Sequence, residues 1–184
     1  MRSLFVVSGA MGSGKSTAAT YLDVRYGFKR IAFADELKRK CKLITPDGQI
    51  DKSRDRSLLQ FIGTEYYRKM DENYWVNIAV ANINEARDKH QLDIVVDDCR
   101  FENEFEALNA IGAVFIHVLR DEQERHRSLI ERDGELSTGI AAHASELPIG
   151  ELYANQIVYN NGKKEQFVND IDLIYELYRE RVHG

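Results

Sequence analysis

Gly9-Ala10-Met11-Gly12-Ser13-Gly14-Lys15-Ser16-Thr17 is the stretch on which the reading of the chain turns. It matches the phosphate-loop pattern G-x-x-x-x-G-K-[ST] without a gap or a substitution. Its flanks agree with it. Leu4-Phe5-Val6-Val7 is an apolar, β-rich run, and Ala18-Ala19-Thr20-Tyr21-Leu22 continues as a helix. Strand, glycine turn and helix in that order are the context that gives the pattern its meaning.

Each residue type has a physical task. The glycines let the backbone turn tightly, so that successive N–H groups point into one concavity and bind phosphate oxygens. The helix that starts near Lys15 adds its positive end. Lys15 reaches the β- and γ-phosphates, the Ser16 hydroxyl ligates Mg²⁺, and Thr17 adds a contact to the α-phosphate. The nucleotide-binding set is therefore Gly9, Ala10, Met11, Gly12, Ser13, Gly14, Lys15, Ser16 and Thr17.

Outward from the loop, 184 residues make one domain, with 43% hydrophobic and 30% charged residues as in a soluble globular protein. A net charge of −5 argues against a nucleic-acid or anionic-membrane binder. Cys41 and Cys99 have no C-x-x-C or histidine companions, so they read as buried apolar residues in a reducing compartment. The N-terminus enters a core strand directly, unlike a signal peptide, and no apolar run approaches membrane-spanning length. The expected location is the cytosol.

Five apolar runs predict strands: Leu4–Ser8, Arg30–Phe33, Asp93–Val96, Val114–Leu119 and Gln156–Tyr159. They alternate with helical patterns, so the expected fold is α/β, a five-stranded parallel sheet with helices on both faces. The helices expected are Gly14–Tyr26, Asp55–Met70, Tyr74–Arg87, Asn103–Ala110 and Glu165–Val182, with Asp35 as the N-cap of a further one. In Asp55–Met70 the apolar side is Leu59, Ile62 and Tyr66, and Gly63 marks a close approach. Asp121–Glu135 is strongly charged, and Ser137–Ala144 is rich in small residues.

Ligands in such sheets bind at the carboxyl ends of the strands. Those ends carry the phosphate loop, Asp35, Asp98 with Arg100, Arg120, and Asn160-Asn161-Gly162. Two carboxylates, two arginines and a phosphate cradle suit a Mg²⁺-nucleotide beside a second phosphate ester. The small size and the absence of an N-K-x-D motif favour a kinase acting on a small acceptor.

These residues resemble the deoxynucleoside monophosphate kinases of bacteriophage type, within the nucleoside monophosphate kinase branch of phosphate-loop folds. The matching runs are the loop, Phe33–Lys38, Leu59–Glu65 with Arg68, Trp75-Val76, Asp98–Glu104, Arg120, His143–Glu146 and Asn160–Gly162. Glu36 stands where the family often has proline. The resemblance implies a three-layer sandwich with a mobile lid at about residues 121–147 and an acceptor region at about 35–90. It implies ATP-dependent phosphoryl transfer to a deoxynucleoside 5′-monophosphate, with nucleotides as the partners and Mg²⁺ as cofactor. Lys15 and the loop hold the ATP phosphates. Asp98 holds a metal-bound water or orients Ser16, with Asp97 a rival. Arg120, Arg127 and Arg132 supply the lid cations, and Asn160 and Gly162 flank adenine. The acceptor set is Asp35, Lys38, Gln60, Thr64, Glu65, Arg68, Trp75, Arg100, His143 and Glu146. Asp35 reads equally as a plain cap, Trp75 as a core residue and the Gln60 face as an ordinary polar face. Two alternatives stay open: a kinase of the dephospho-coenzyme A or phosphomevalonate type, and a nucleotide-sensing module without turnover.

Overall fold

The computed structural model describes residues 2–45, 47–51, 54–133 and 149–183. Five parallel strands form one sheet in the order β2-β3-β1-β4-β5, with β1 at Leu4–Ser8, β2 at Lys29–Arg30, β3 at Ile94–Val96, β4 at Val114–Leu119 and β5 at Gln156–Tyr159. From β1 the chain goes to the edge strand β2, returns to β3 beside β1, then crosses to β4 on the other side. The carboxyl end of β1, which carries the phosphate loop, is therefore the switch point.

Strand alternation sorts the core into two layers. Leu4, Val6, Ile94, Val96 and Phe115 pack with Phe33, Val76, Ile83, Phe105 and Leu108. Phe5, Val7, Val95, Ile116, Val118 and Val158 pack on the other face with Ala18, Ala19, Leu22, Phe167 and Ile171. The first face is covered by α2 (Phe33–Lys42), α4 (Tyr74–Asp88) and α5 (Glu102–Ala110), the second by α1 (Lys15–Tyr26) and α7 (Lys164–His183). β1 is buried along its whole length because both faces are covered.

Three local expectations are corrected. The second strand ends at Arg30, and Phe33 already begins α2. The cause is Asp98, whose carboxylate accepts from the Phe33 and Ala34 amides at 3.0 Å each and caps the helix. Asp35 is thus the third residue of α2, and its own carboxylate reaches back to the Ala32 amide at 2.9 Å, as in a capping box.

The single helix expected over Asp55–Met70 is instead α3 (Arg56–Gln60) followed by a π-helix at Phe61–Arg68. The wider i→i+5 turn shifts the facing of side chains. Tyr66 points outward at 47% exposure, whereas Tyr67 stacks on Tyr74 with ring centroids 4.3 Å apart. Gly63 makes the predicted close approach: a Cβ there would lie 2.9 Å from Leu37 Cδ2. Cys41 and Cys99 are both buried as free thiols, and burial raises the pKa of each.

Candidate active site

The loop between β1 and α1 has the backbone its sequence requires. Gly9, Gly12 and Gly14 have φ of 138, 81 and 110°. At Gly9 a side chain would collide with the Val118 carbonyl of the neighbouring central strand. At Gly12 a Cβ would lie 3.0 Å from the Arg125 carbonyl and 3.2 Å from Leu129 Cγ, so a helix sits directly on the loop. That helix is α6 (Glu122–Asp133). From the other side Asn160 Nδ2 donates to the Ser13 carbonyl at 2.8 Å. Asn161 and Asp121 exchange two hydrogen bonds, 2.8 and 2.9 Å, and tie the turn after β5 to the start of α6.

Lys15 Nζ curls over the loop and donates to the Gly9 and Ala10 carbonyls at 2.5 and 2.8 Å. Ser16 Oγ donates to Asp97 Oδ2 at 3.0 Å. Sheet alternation explains why the partner is Asp97 and not Asp98. Asp97 continues the face of Val95, which packs against α1 and its Ser16, whereas Asp98 continues the face of Val96, which packs against α2. The expected Ser16–Asp98 link is corrected accordingly. Burial raises the Asp98 pKa, opposed by its two backbone hydrogen bonds.

The arginines around the loop divide sharply. Arg120 Nη1 donates to Gly12 O at 3.3 Å and to Ser128 Oγ at 2.7 Å. Arg125, which no motif marked, donates from Nη1 to Met11 O at 3.1 Å. Arg127 pairs with Glu124 at 3.0 Å and its side chain is 67% exposed, so it is turned away from the loop. A signal for Arg125 was present: Leu129, four residues on, is an apolar residue buried in α6, and i, i+4 positions share a face. The Arg132 side chain, His143 and Glu146 lie outside the described residues.

Behind the loop a cavity of about 190 Å³ opens between the ends of β1 and β4, lined in part by Gly9, Arg100, Arg120, Arg125, His117 and Glu151. His117 is buried and bonded to Ser8 Oγ at 2.9 Å. Burial lowers its pKa and Lys15 pushes the same way, against Glu151, so it is held towards the neutral form. Arg100 is exposed at the cavity, and its backbone is fixed by Glu104, which accepts from the Arg100 and Phe101 amides at 2.7 and 3.1 Å. The other Glu104 oxygen pairs with Arg68, whose guanidinium lies 4.0 Å from the centre of the Phe101 ring. Burial raises the Glu104 pKa, against these partners.

The expected acceptor set is thus only partly assembled. Arg100 reaches the cavity, while Arg68 is committed to Glu104. Trp75 does not offer a stacking face: it is 3% exposed and donates Nε1 to the Gly63 carbonyl at 2.9 Å. Lys38 pairs with Asp35 at 3.9 Å, Glu65 pairs with Lys69 at 3.5 Å, and Gln60 and Thr64 are exposed. A second hollow of about 240 Å³, lined by Lys40, Ile44, Phe61, Ile62, Tyr66 and Tyr67, has no residue from the strand ends.

Two observations show what the site fits. Ser13 Oγ and Arg120 Nε are buried without hydrogen-bond partners, and Arg120 Nε is a charged donor beside the loop, as an anion site requires. Ser16 and Asp97 offer hard oxygen atoms beside that anion site, the donor type that Mg²⁺ takes together with phosphate oxygens.

The model of one protein family, described as deoxynucleotide monophosphate kinase, matches residues 47–171. The chain belongs to the deoxynucleotide monophosphate kinase family. It is an enzyme of that type, a phosphotransferase acting on nucleotides. A protein of Acanthamoeba polyphaga mimivirus, provisionally named a deoxynucleotide monophosphate kinase, is 29% identical over 91% of this chain and 93% of its own. An uncharacterised protein of Ictalurid herpesvirus 1 is 33% identical over 66% of this chain and 55% of its own. Among solved structures, a shikimate kinase from Acinetobacter baumannii has a TM-score of 0.61 at 12% identity, covering 98% of this chain and 94% of that one. A dephospho-CoA kinase from Campylobacter jejuni has a TM-score of 0.59 at 20% identity, covering 98% and 100%. These two likenesses carry the fold, that of phosphate-loop kinases. No helix among the described residues is long and apolar enough to cross a membrane.

Proposed function

We propose that this kinase moves the γ-phosphoryl group of ATP onto a deoxynucleoside 5′-monophosphate through the cavity behind the phosphate loop. The observation that carries the assignment is the gathering of cations at that cavity: Arg100, Arg120 and Arg125 line it, and Lys15 is bonded to the carbonyls of Gly9 and Ala10, which form part of its wall. Phosphoryl transfer asks chiefly for positioning and for positive charge around the equatorial oxygens.

In this reading the loop amides and Lys15 hold the β- and γ-phosphates, and Lys15 leaves the Gly9 and Ala10 carbonyls to do so. Ser16 and Asp97 would hold Mg²⁺, which would supply positive charge to offset that of the phosphates. Arg100 clamps the acceptor phosphate with its planar fork. Arg120 and Arg125 exchange their loop carbonyls for the transferring group. The region from about residue 121 to 147 acts as the lid, and about 35 to 90 holds the acceptor. Asn160, already bonded to Ser13, sets the adenine side.

The test is ADP release from Mg·ATP with a panel of acceptors: dTMP, dGMP, dCMP, dAMP, their ribose counterparts, dephospho-coenzyme A and phosphomevalonate. Turnover with at least one deoxynucleotide is expected. Turnover confined to a non-nucleotide acceptor refutes the proposal, and so does silence across the panel with ATP bound.

A further inference from the structure

Arg30 belongs to no motif, yet it makes the shortest ionic contact of the metal locus. It ends the edge strand β2, in register with Val95, two residues before Asp97. Its Nε donates to Asp97 Oδ1 at 2.7 Å and its Nη2 to Oδ2 at 2.6 Å. The second oxygen also accepts from Ser16. The Asp97 side chain is 1% exposed, whereas that of Arg30 is 44% exposed. A guanidinium therefore reaches in from the solvent edge and closes a two-pronged pair on a buried carboxylate.

We propose that Arg30 is a placeholder for the metal: it neutralises and orients Asp97 while the loop is empty, so that the divalent cation enters only together with the nucleotide. The inference rests on the reading of Ser16 and Asp97 given above. A buried carboxylate without a countercharge is costly and attracts any available cation. Paired with Arg30, the Ser16–Asp97 site has no net charge to offer. The attraction for the metal then has to come from the triphosphate. Arginine suits this role better than lysine because its fork spans both oxygens and keeps its proton at all working pH values.

The probe is Mn²⁺, with the free ion read by electron paramagnetic resonance at pH 8 on the full chain. Wild-type protein is expected to take up Mn²⁺ strongly only when ATP or ADP is present. Arg30→Gln is expected to bind Mn²⁺ without nucleotide at least tenfold more tightly than wild type. That gain should vanish when Asp97→Asn is added. Arg30→Lys, which retains charge but cannot span both oxygens, gives a smaller gain of the same sign and serves if the glutamine variant does not fold. Equal nucleotide-free Mn²⁺ affinity in wild type and variants, within twofold, overturns the proposal. A fluorescent ATP analogue separates the two levels. If wild type fails to bind it, the reading of the loop falls and Arg30's role with it. If the analogue binds while Mn²⁺ uptake is unmoved by Arg30, only the placeholder role falls.

Discussion

Replacing Asp98 should damage the fold and spare the metal, while replacing Asp97 should raise the metal requirement. Asp98 accepts two backbone amides of the first turn of α2, each at 3.0 Å. Losing a helix cap costs about 0.5–2 kcal/mol, and hydrogen bonds to a charged group are worth about 1.5–3 kcal/mol each. Against this stands the burial of the carboxylate, which raises its pKa and shows that its charge is itself held at a cost. The net loss for Asp98→Ala is about 2 kcal/mol, or roughly 4–8 °C in Tm for a domain of this size. Asp98→Asn retains one acceptor and should lose about half of that. Burial also gives the pH dependence. A carboxyl whose folded pKa is raised adds stability that is full below its unfolded value, near 3.8, and is lost as the pH rises through the folded value. Asp98→Asn should flatten that slope. The assay is paired: thermal melts across pH, and the Mg²⁺ concentration that half-saturates ADP release. Asp97→Asn should raise the Mg²⁺ requirement about tenfold or more. The reasoning fails if Asp98→Asn shifts the Mg²⁺ requirement by that factor while its Tm and pH profile match the wild type.

Arg125→Ala should lower kcat by about 10²- to 10³-fold, whereas Arg127→Ala should change it less than twofold; steady-state rates in which Arg127 matters more would reverse the assignment of α6. Glu104→Ala removes a buried partner of Arg68 and two amide contacts, so about 3 kcal/mol of stability should be lost, read by urea unfolding. In Glu104→Gln, which keeps one acceptor for the Arg100 turn, KM for the acceptor should rise more than KM for ATP; an equal rise in both would remove Glu104 from the positioning of Arg100. Gly63→Ala should cost about 1 kcal/mol through its contact with Leu37, with a smaller penalty in a Leu37→Ala background.

Most of the sheet was legible because β1, β3 and β4 are largely apolar runs and β1 leads into a loop whose glycines have one structural meaning. β1, β4 and β5 lie where their sequences place them. The second strand was not, since its end is decided by Asp98, more than sixty residues away, which captures the amides of α2. Periodicity likewise missed the π-helix, because its phase is set by Gly63 against Leu37 and by Trp75 bonded to the Gly63 carbonyl. At the site, Lys15 and Ser16 were readable from the motif alone. The choice between Asp97 and Asp98 needed strand parity carried past the end of β3. Arg125 needed the loop-facing side of α6, and Arg68 needed the knowledge that Glu104 is buried.

Transfer, as distinct from hydrolysis, is the central claim. The most direct measurement follows γ-labelled ATP with a deoxynucleoside monophosphate by phosphorus NMR. The account predicts that the label appears in the β-position of a deoxynucleoside diphosphate, one for each ADP formed, and that Lys15→Ala abolishes it. Label released only as inorganic phosphate, with the monophosphate unchanged, would contradict it.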